Sequence, residues 1–218
     1  MLWLMIQPNS FPGLNKLQYR QPRRPFTREE LQKTLALCDP EWRSMVLFGL
    51  YLGQRLADIA TLHWSALDLE RDEVRITTGK TGQLLILPLA RPLRKHVESL
   101  KVPASGGPIH PRAAAIVEAH KRTALLSNQF TDILARAGLR VYKSHQFRGI
   151  GRDGRRASSA LSFHSLRHTT VSMLRDAGVP QSVAMGFAGH TSPEINNAYT
   201  HTGIDSLRRA ADSLPDVV

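Results

Sequence analysis

The sequence predicts an α+β fold, mostly α-helical with a small three-stranded antiparallel sheet. Capping residues followed by apolar residues at helical spacing dominate both halves of the chain. Between them, residues 66–89 change period to short strand-like runs around a Gly-Lys-Thr-Gly turn. At 218 residues the chain has the length of one domain, or of one domain with a short extension. That length can bury roughly 70% of the unfolded surface.

The elements follow in order. Residues 1–26 have no steady period, four basic residues, no acids and four prolines, and read as an irregular basic arm or linker remnant. Thr27-Arg-Glu-Glu30 has the capping-box form and opens a helix to about Leu37. Asp39-Pro40 is an N-cap followed by proline at the first helical position, so a largely apolar core helix should run from Glu41 to Leu52. Gly53 interrupts it, and a shorter helix spans about Arg55 to Leu62. Strands are expected at Ala66–Leu69, Glu73–Thr78 and Gln83–Leu89, the last two forming a hairpin across Gly79–Gly82. Pro92 opens a helix to about Leu100, and residues 102–111, with three prolines and two glycines, form a loop. A helix from about Ser127 to Ala137 stops at Gly138. Residues 139–161 are a long Gly/Arg/Ser-rich stretch, and stretches of that length are usually functional or disordered. Four further helices are expected at about Ser165–Ala177, Pro180–Phe187, Pro193–Tyr199 and Ile204–Ala211. The last is amphipathic, and its apolar stripe must dock either on its own protomer or on a neighbour.

Composition narrows the function. Hydrophobic residues at 42% and charged residues at 22% argue against wholesale disorder. No apolar run approaches the ~20 residues that span a bilayer. The opening Met1–Ile6 is too short for a signal-peptide core. One cysteine, Cys38, excludes an intramolecular disulfide framework and a multi-cysteine metal site. The expectation is a soluble protein of the cytoplasm, associated with the nucleoid and with no membrane partner. The net charge of +11 points to a polyanionic partner, nucleic acid before membrane. Residues 140–175 hold eight basic side chains against one acid, Asp153. Lys143, Arg148, Arg152, Arg155 and Arg156 are therefore candidate contacts to duplex DNA, mainly through phosphates.

Five scattered elements carry the chemistry: Arg55 in Leu-Gly-Gln-Arg-Leu-Ala-Asp58, Lys80 in the hairpin turn, His164-Ser-Leu-Arg167, Gly189-His190, and Tyr199 in Asn-Ala-Tyr-Thr-His201. Each alone has a bland explanation as a surface, capping or packing residue. Together they are the parts of a metal-free phosphoryl transfer to a side chain. Two guanidinium forks can neutralise the non-bridging oxygens of a phosphodiester. A lysine can protonate a leaving alkoxide, and histidine can move a proton or bond the phosphate. Tyrosine offers an oxygen nucleophile that needs help at its ordinary pKa of about 10.

These motifs resemble the tyrosine recombinase (phage integrase) family over about residues 24–214. The best-matching stretches are Leu52–Trp64, Phe163–His168, and Ala188–Thr191 onward to Tyr199-Thr-His201. The resemblance implies the catalytic-domain fold of DNA breaking-rejoining enzymes over residues 27–214, with 215–218 as a tail. It implies that Arg55 and Arg167 clamp the scissile phosphate and that Lys80 protonates the leaving 5′ oxygen. His164 would act in proton transfer, His190 would bond the phosphate, and Tyr199 would attack to form a 3′-phosphotyrosine. Asp58 matches a supporting acidic position, with an ordinary helix-face charge as the alternative. His168 and His201 match common residues with packing or supporting roles. No metal, ATP or organic cofactor is implied. The implied partners are double-stranded DNA and a homotetramer on paired sites, with a monomer in solution and accessory DNA-bending proteins both compatible. The family's usual helical core-binding domain has no counterpart in the short arm before Thr27. Two rivals follow: a DNA-binding regulator or inactive remnant, and a type IB topoisomerase.

Overall fold

The computed structural model describes residues 23–104, 106–141, 160–189 and 204–217. Helix α1 (Arg28–Ala36) starts as its capping box requires: Thr27 Oγ1 accepts from Glu30 N, and Glu30 Oε2 accepts from Thr27 N. Helix α2 (Pro40–Leu52) starts where Asp39 caps Trp42 N at 2.9 Å, and ends at Gly53 in the left-handed region (φ 62°). Every residue from Ser44 to Leu52 is buried, so α2 is the axis of the core. Each Leu, Val or Phe buried there contributes roughly 1.5–3 kcal/mol.

After α2 come α3 (Leu56–Ala60), a 3₁₀ turn (Trp64–Ala66), and an antiparallel sheet of β1 (Leu67–Asp68), β2 (Glu73–Thr77) and β3 (Leu84–Pro88), in that order. The register pairs Val74 with Leu87 and Ile76 with Leu85. These four side chains form the buried face, while Arg75, Thr77, Leu84 and Ile86 face outward, as period-two alternation demands. The remaining helices are α4 (Arg91–Ser99), α5 (Pro111–His120), α6 (Ala124–Arg136), α7 (Phe163–Asp176), α8 (Gln181–Phe187) and α9 (Ile204–Asp212). Helix α5 is an addition to the sequence reading, and α6 begins three residues earlier than expected. The expected helix at Pro193–Tyr199 lies outside the described residues.

Helix α7 packs along α2. The approach depends on Gly49, because a Cβ there would lie 2.7 Å from Phe163 Cζ. Phe26 N donates to Thr169 Oγ1 (2.9 Å), which anchors the start of the domain on α7. Helix α9 packs on β3 and α8 of its own chain, with Leu207, Ala210 and Ala211 buried. Arg208 ties it to β2 through Glu73 Oε1 at 2.7 Å. The residues beyond it return to the core. Tyr51 Oη donates to Pro215 O (3.0 Å) and accepts from Val217 N (3.3 Å), and Leu214 and Val217 are buried. Among the described residues, no helix is long and apolar enough to cross a membrane.

One buried histidine gives the fold a pH dependence. His110 is fully buried, with Nδ1 3.0 Å from Ile59 O and Nε2 3.0 Å from Ser44 Oγ. A carbonyl only accepts, so the neutral ring carries its proton on Nδ1, and Nε2 accepts from the serine. Burial pushes its pKa down to about 4, against smaller raising effects of the Ile59 bond and Glu41. The unfolded chain takes up this proton near the ordinary value of about 6.5 and the folded chain does not. The stabilisation is therefore complete above that value and is lost as pH falls toward 4. The unfolding free energy should drop across that window by on the order of 3 kcal/mol in total, with the melting temperature falling alongside. His110→Gln should melt lower at pH 7 but show a flatter pH profile.

Candidate active site

The site is built where the C-terminal end of α2 meets α7, α8 and the β2–β3 turn. Arg55 is the N-cap of α3, partly buried, with extended backbone (φ −73°, ψ 155°). It comes two residues after the left-handed Gly53, so the end of α2 decides where Arg55 starts. Arg167 lies on α7, 2% exposed, and its Nη1 donates to Gly53 O at 3.2 Å. That bond brings the second arginine against the turn that carries the first, across 112 positions of sequence. Burial first, and then the Arg55 charge, press the Arg167 pKa down to about 10, while Asp58 acts in the opposite direction. Arg167 stays charged at neutral pH. Two like charges are thus gathered at the end of α2, that of Arg167 buried and that of Arg55 partly so.

Helix α7 is itself held to α2 at this end. Thr170 Oγ1 sits between the Leu50 and Leu166 carbonyls and donates to one of them. Ser165 Oγ accepts from Ser162 N (3.1 Å) at the helix start, two residues ahead of the sequence expectation. His164 is partly buried, and its ring meets His168 edge-on with centroids 5.1 Å apart. Burial, then Arg23 and Arg167, lower the His168 pKa, which favours the neutral ring.

Asp58, 7% exposed, reaches across to the hairpin: Oδ1 accepts from Gly79 N at 2.9 Å. Gly79 precedes Lys80, so this carboxylate ties the lysine's turn to α3. The turn is also closed by Thr78 N to Gln83 O and by the Thr78–Thr81 hydroxyl pair. Lys80 itself is exposed. A carboxylate with this much burial and a main-chain partner is more than a solvated helix-face charge. Asp58 and Gly79 are 21 residues apart, and no local pattern joins them.

The structure thus brings together Arg55, Asp58, Arg167 and the Lys80 turn, with His164 one helical turn from Arg167 on α7. Gly189, after α8, has φ 63° and lies against Leu85 and Gln54. His190 and Tyr199 lie outside the described residues, as do Lys143, Arg148, Arg152, Arg155 and Arg156 of the basic stretch. Gln54 was not singled out by the sequence reading, although it stands inside the Leu-Gly-Gln-Arg motif. It is 1% exposed and donates to main-chain carbonyls on both sides of the site.

A helical body carrying a three-stranded antiparallel sheet is the architecture that solved tyrosine recombinases and integrases share with this chain. The integrase of mycobacterium phage Brujita has this fold (TM-score 0.60, 20% identity), and the match covers 96% of this chain and 60% of that one. A lambda integrase tetramer bound to a Holliday junction matches with a TM-score of 0.54 at 16% identity, over 78% of this chain and 48% of that one. Among curated proteins, tyrosine recombinase XerA of Thermococcus kodakarensis is 22% identical over 190 residues, covering 86% of this chain. The chain spans 61% of that relative's length. The phage integrase family model matches residues 24–204, and the chain belongs to that family.

Proposed function

We propose that this chain is a site-specific DNA recombinase or integrase that cleaves and rejoins strands through a 3′-phosphotyrosine on Tyr199. The observation that supports the reading is the convergence of the buried Arg167 and the partly buried Arg55, like charges that an anionic phosphodiester would neutralise. In the proposed step the Tyr199 oxygen attacks the scissile phosphorus and the bond to the 5′ oxygen breaks. His164 takes up the phenolic proton, and Lys80 supplies a proton to the leaving oxygen. Arg55, Arg167 and His190 hold the non-bridging oxygens, and Asp58 keeps the Lys80 turn in place. The phosphotyrosine conserves the bond energy for rejoining when a new 5′ hydroxyl attacks. The chain's own residues supply every proton and charge in the step.

Four protomers on two DNA sites would break the four strands of a full exchange, in keeping with the tetramer recorded for lambda integrase. Accessory DNA-bending proteins would then act on the DNA around the paired sites, and the reaction would take place in the cytoplasm. Incubation with a nicked suicide duplex, from which the short 5′ fragment diffuses away, tests the chemistry. A covalent protein–DNA band on a denaturing gel is the expected result. Its absence over a broad set of candidate sites would leave the regulator or remnant. Relaxation of supercoiled DNA lacking a target site would point instead to a type IB topoisomerase.

Binding should be strongly salt-dependent, since each neutralised phosphate releases counterions with a log–log slope of about −0.9 per contact. Arg152, Arg155 and Arg156 changed together to alanine should make that slope shallower by up to about three contacts' worth. An unchanged slope would remove these three arginines from the DNA surface.

A further inference from the structure

The turn that carries Arg55 is held by groups from elsewhere in the chain, and Gln54 supplies the longest of these ties. Gln54 Nε2 donates to Leu52 O at 2.8 Å and to Phe187 O at 3.3 Å. Both partners are carbonyls, which only accept, so the amide can face them in one orientation. Phe187 ends α8, and the chain continues through Ala188 to Gly189. A Cβ on Gly189 would stand 2.8 Å from Leu85 Cδ1 and 3.6 Å from Gln54 Oε1, so the segment after α8 runs close to β3 and to this side chain. Gln54 Oε1 is buried and has no hydrogen-bond partner among the described residues. An unmet buried acceptor is costly, and a leucine or methionine at this position would avoid that cost. On the other side of the same turn, Arg167 holds Gly53 O.

We propose that Gln54 is a positioning residue, which fixes the Arg55 turn to the end of α8 and so aligns the Arg55 guanidinium with the scissile phosphate. The inference rests on the strand-transfer reading above. Two α-helices and a sheet strand meet at this point, and apolar packing alone would let them slide. A directional amide bonded to both the α2 end and the α8 end sets their relative placement. Alignment matters because a guanidinium fork neutralises two oxygens only when its plane meets them, and a shift of 1 Å can cost about 100-fold in rate.

The test uses the full chain and two nicked suicide duplexes. One carries an ordinary scissile phosphodiester and the other a neutral methylphosphonate, which needs less charge neutralisation by arginine. Gln54→Met keeps the length of the side chain and removes both donors. It should slow single-turnover adduct formation on the phosphodiester by about 10- to 100-fold. On the methylphosphonate it should stay close to the unaltered protein. The ratio of the two rates is independent of how much of the variant is folded. Gln54→Glu adds a second signature. Its carboxyl regains a donor only when protonated, so its phosphodiester rate relative to the unaltered protein should climb as pH falls. Equal losses on both substrates, no loss for Gln54→Met, or a flat pH ratio for Gln54→Glu would each overturn the assignment. Should the unaltered protein form no adduct at all, the strand-transfer reading fails and the inference with it. A normal adduct from the unaltered protein and an indifferent Gln54→Met remove the inference alone.

Discussion

Tyr199→Phe should erase the covalent protein–DNA band while leaving DNA affinity and thermal melting unchanged. Phenylalanine differs by one oxygen, the atom that attacks phosphorus in the proposed step. With the nucleophile gone, only binding and charge stabilisation remain, and the cleavage rate should fall by at least about 1000-fold. The chain has four tyrosines, at 19, 51, 142 and 199. Tyr51 is excluded by its surroundings: it is fully buried, its hydroxyl is engaged by Pro215 and Val217, and burial lifts its pKa to about 12. Tyr19→Phe and Tyr142→Phe should keep the band. A persistent band in the Tyr199→Phe protein would mean that another side chain attacks.

Arg167→Lys should be nearly as damaging, although the formal charge is kept. The guanidinium bonds Gly53 O through Nη1, and its planar fork can serve a carbonyl and an anion together. An ammonium has no fork with which to serve both. The forces that press Arg167 down to about 10, burial and the Arg55 charge, would act on a lysine whose ordinary value is already near 10.4. The variant should therefore lose part of its charge toward neutral pH. A loss of roughly 100-fold or more in single-turnover cleavage is expected, by comparison with removing one donor from an oxyanion site. Arg55→Lys should lose a similar amount through the missing fork. Near-normal cleavage by either variant, with melting unchanged, would make that arginine structural.

Much of this architecture was legible from residue order, for identifiable reasons. Thr27-x-x-Glu30 and Asp39-Pro40 are local capping signals, and both helices begin where those signals stand. The Gly79–Gly82 turn is equally local, and the strands on either side agree with expectation to within one residue. Helix α5 was missed because its start at Pro111 borders a Pro/Gly-rich loop and His110 gives it no side-chain cap. Helix α6 opens at Thr123 without a side-chain cap, which removes the cue for its first turn. In the site, the two arginines stood out through their motifs. The Asp58–Gly79 tie and the Gln54–Phe187 bond did not, because each joins segments whose proximity only the folded chain creates.

The bonds from Tyr51 to Pro215 and Val217 have a consequence for how the protein comes into being. The central helix cannot complete its surroundings until a segment 166 residues further along has been made. At ordinary synthesis rates that is a delay of roughly 8–33 seconds, longer for the part still inside the ribosome tunnel. Through that interval the apolar length of α2 needs a temporary cover, whether a helper protein or a loose early collapse. Folding dominated by such distant pairings is also intrinsically slow. A nascent chain would thus carry an incompletely covered α2 until the segment around Val217 has emerged.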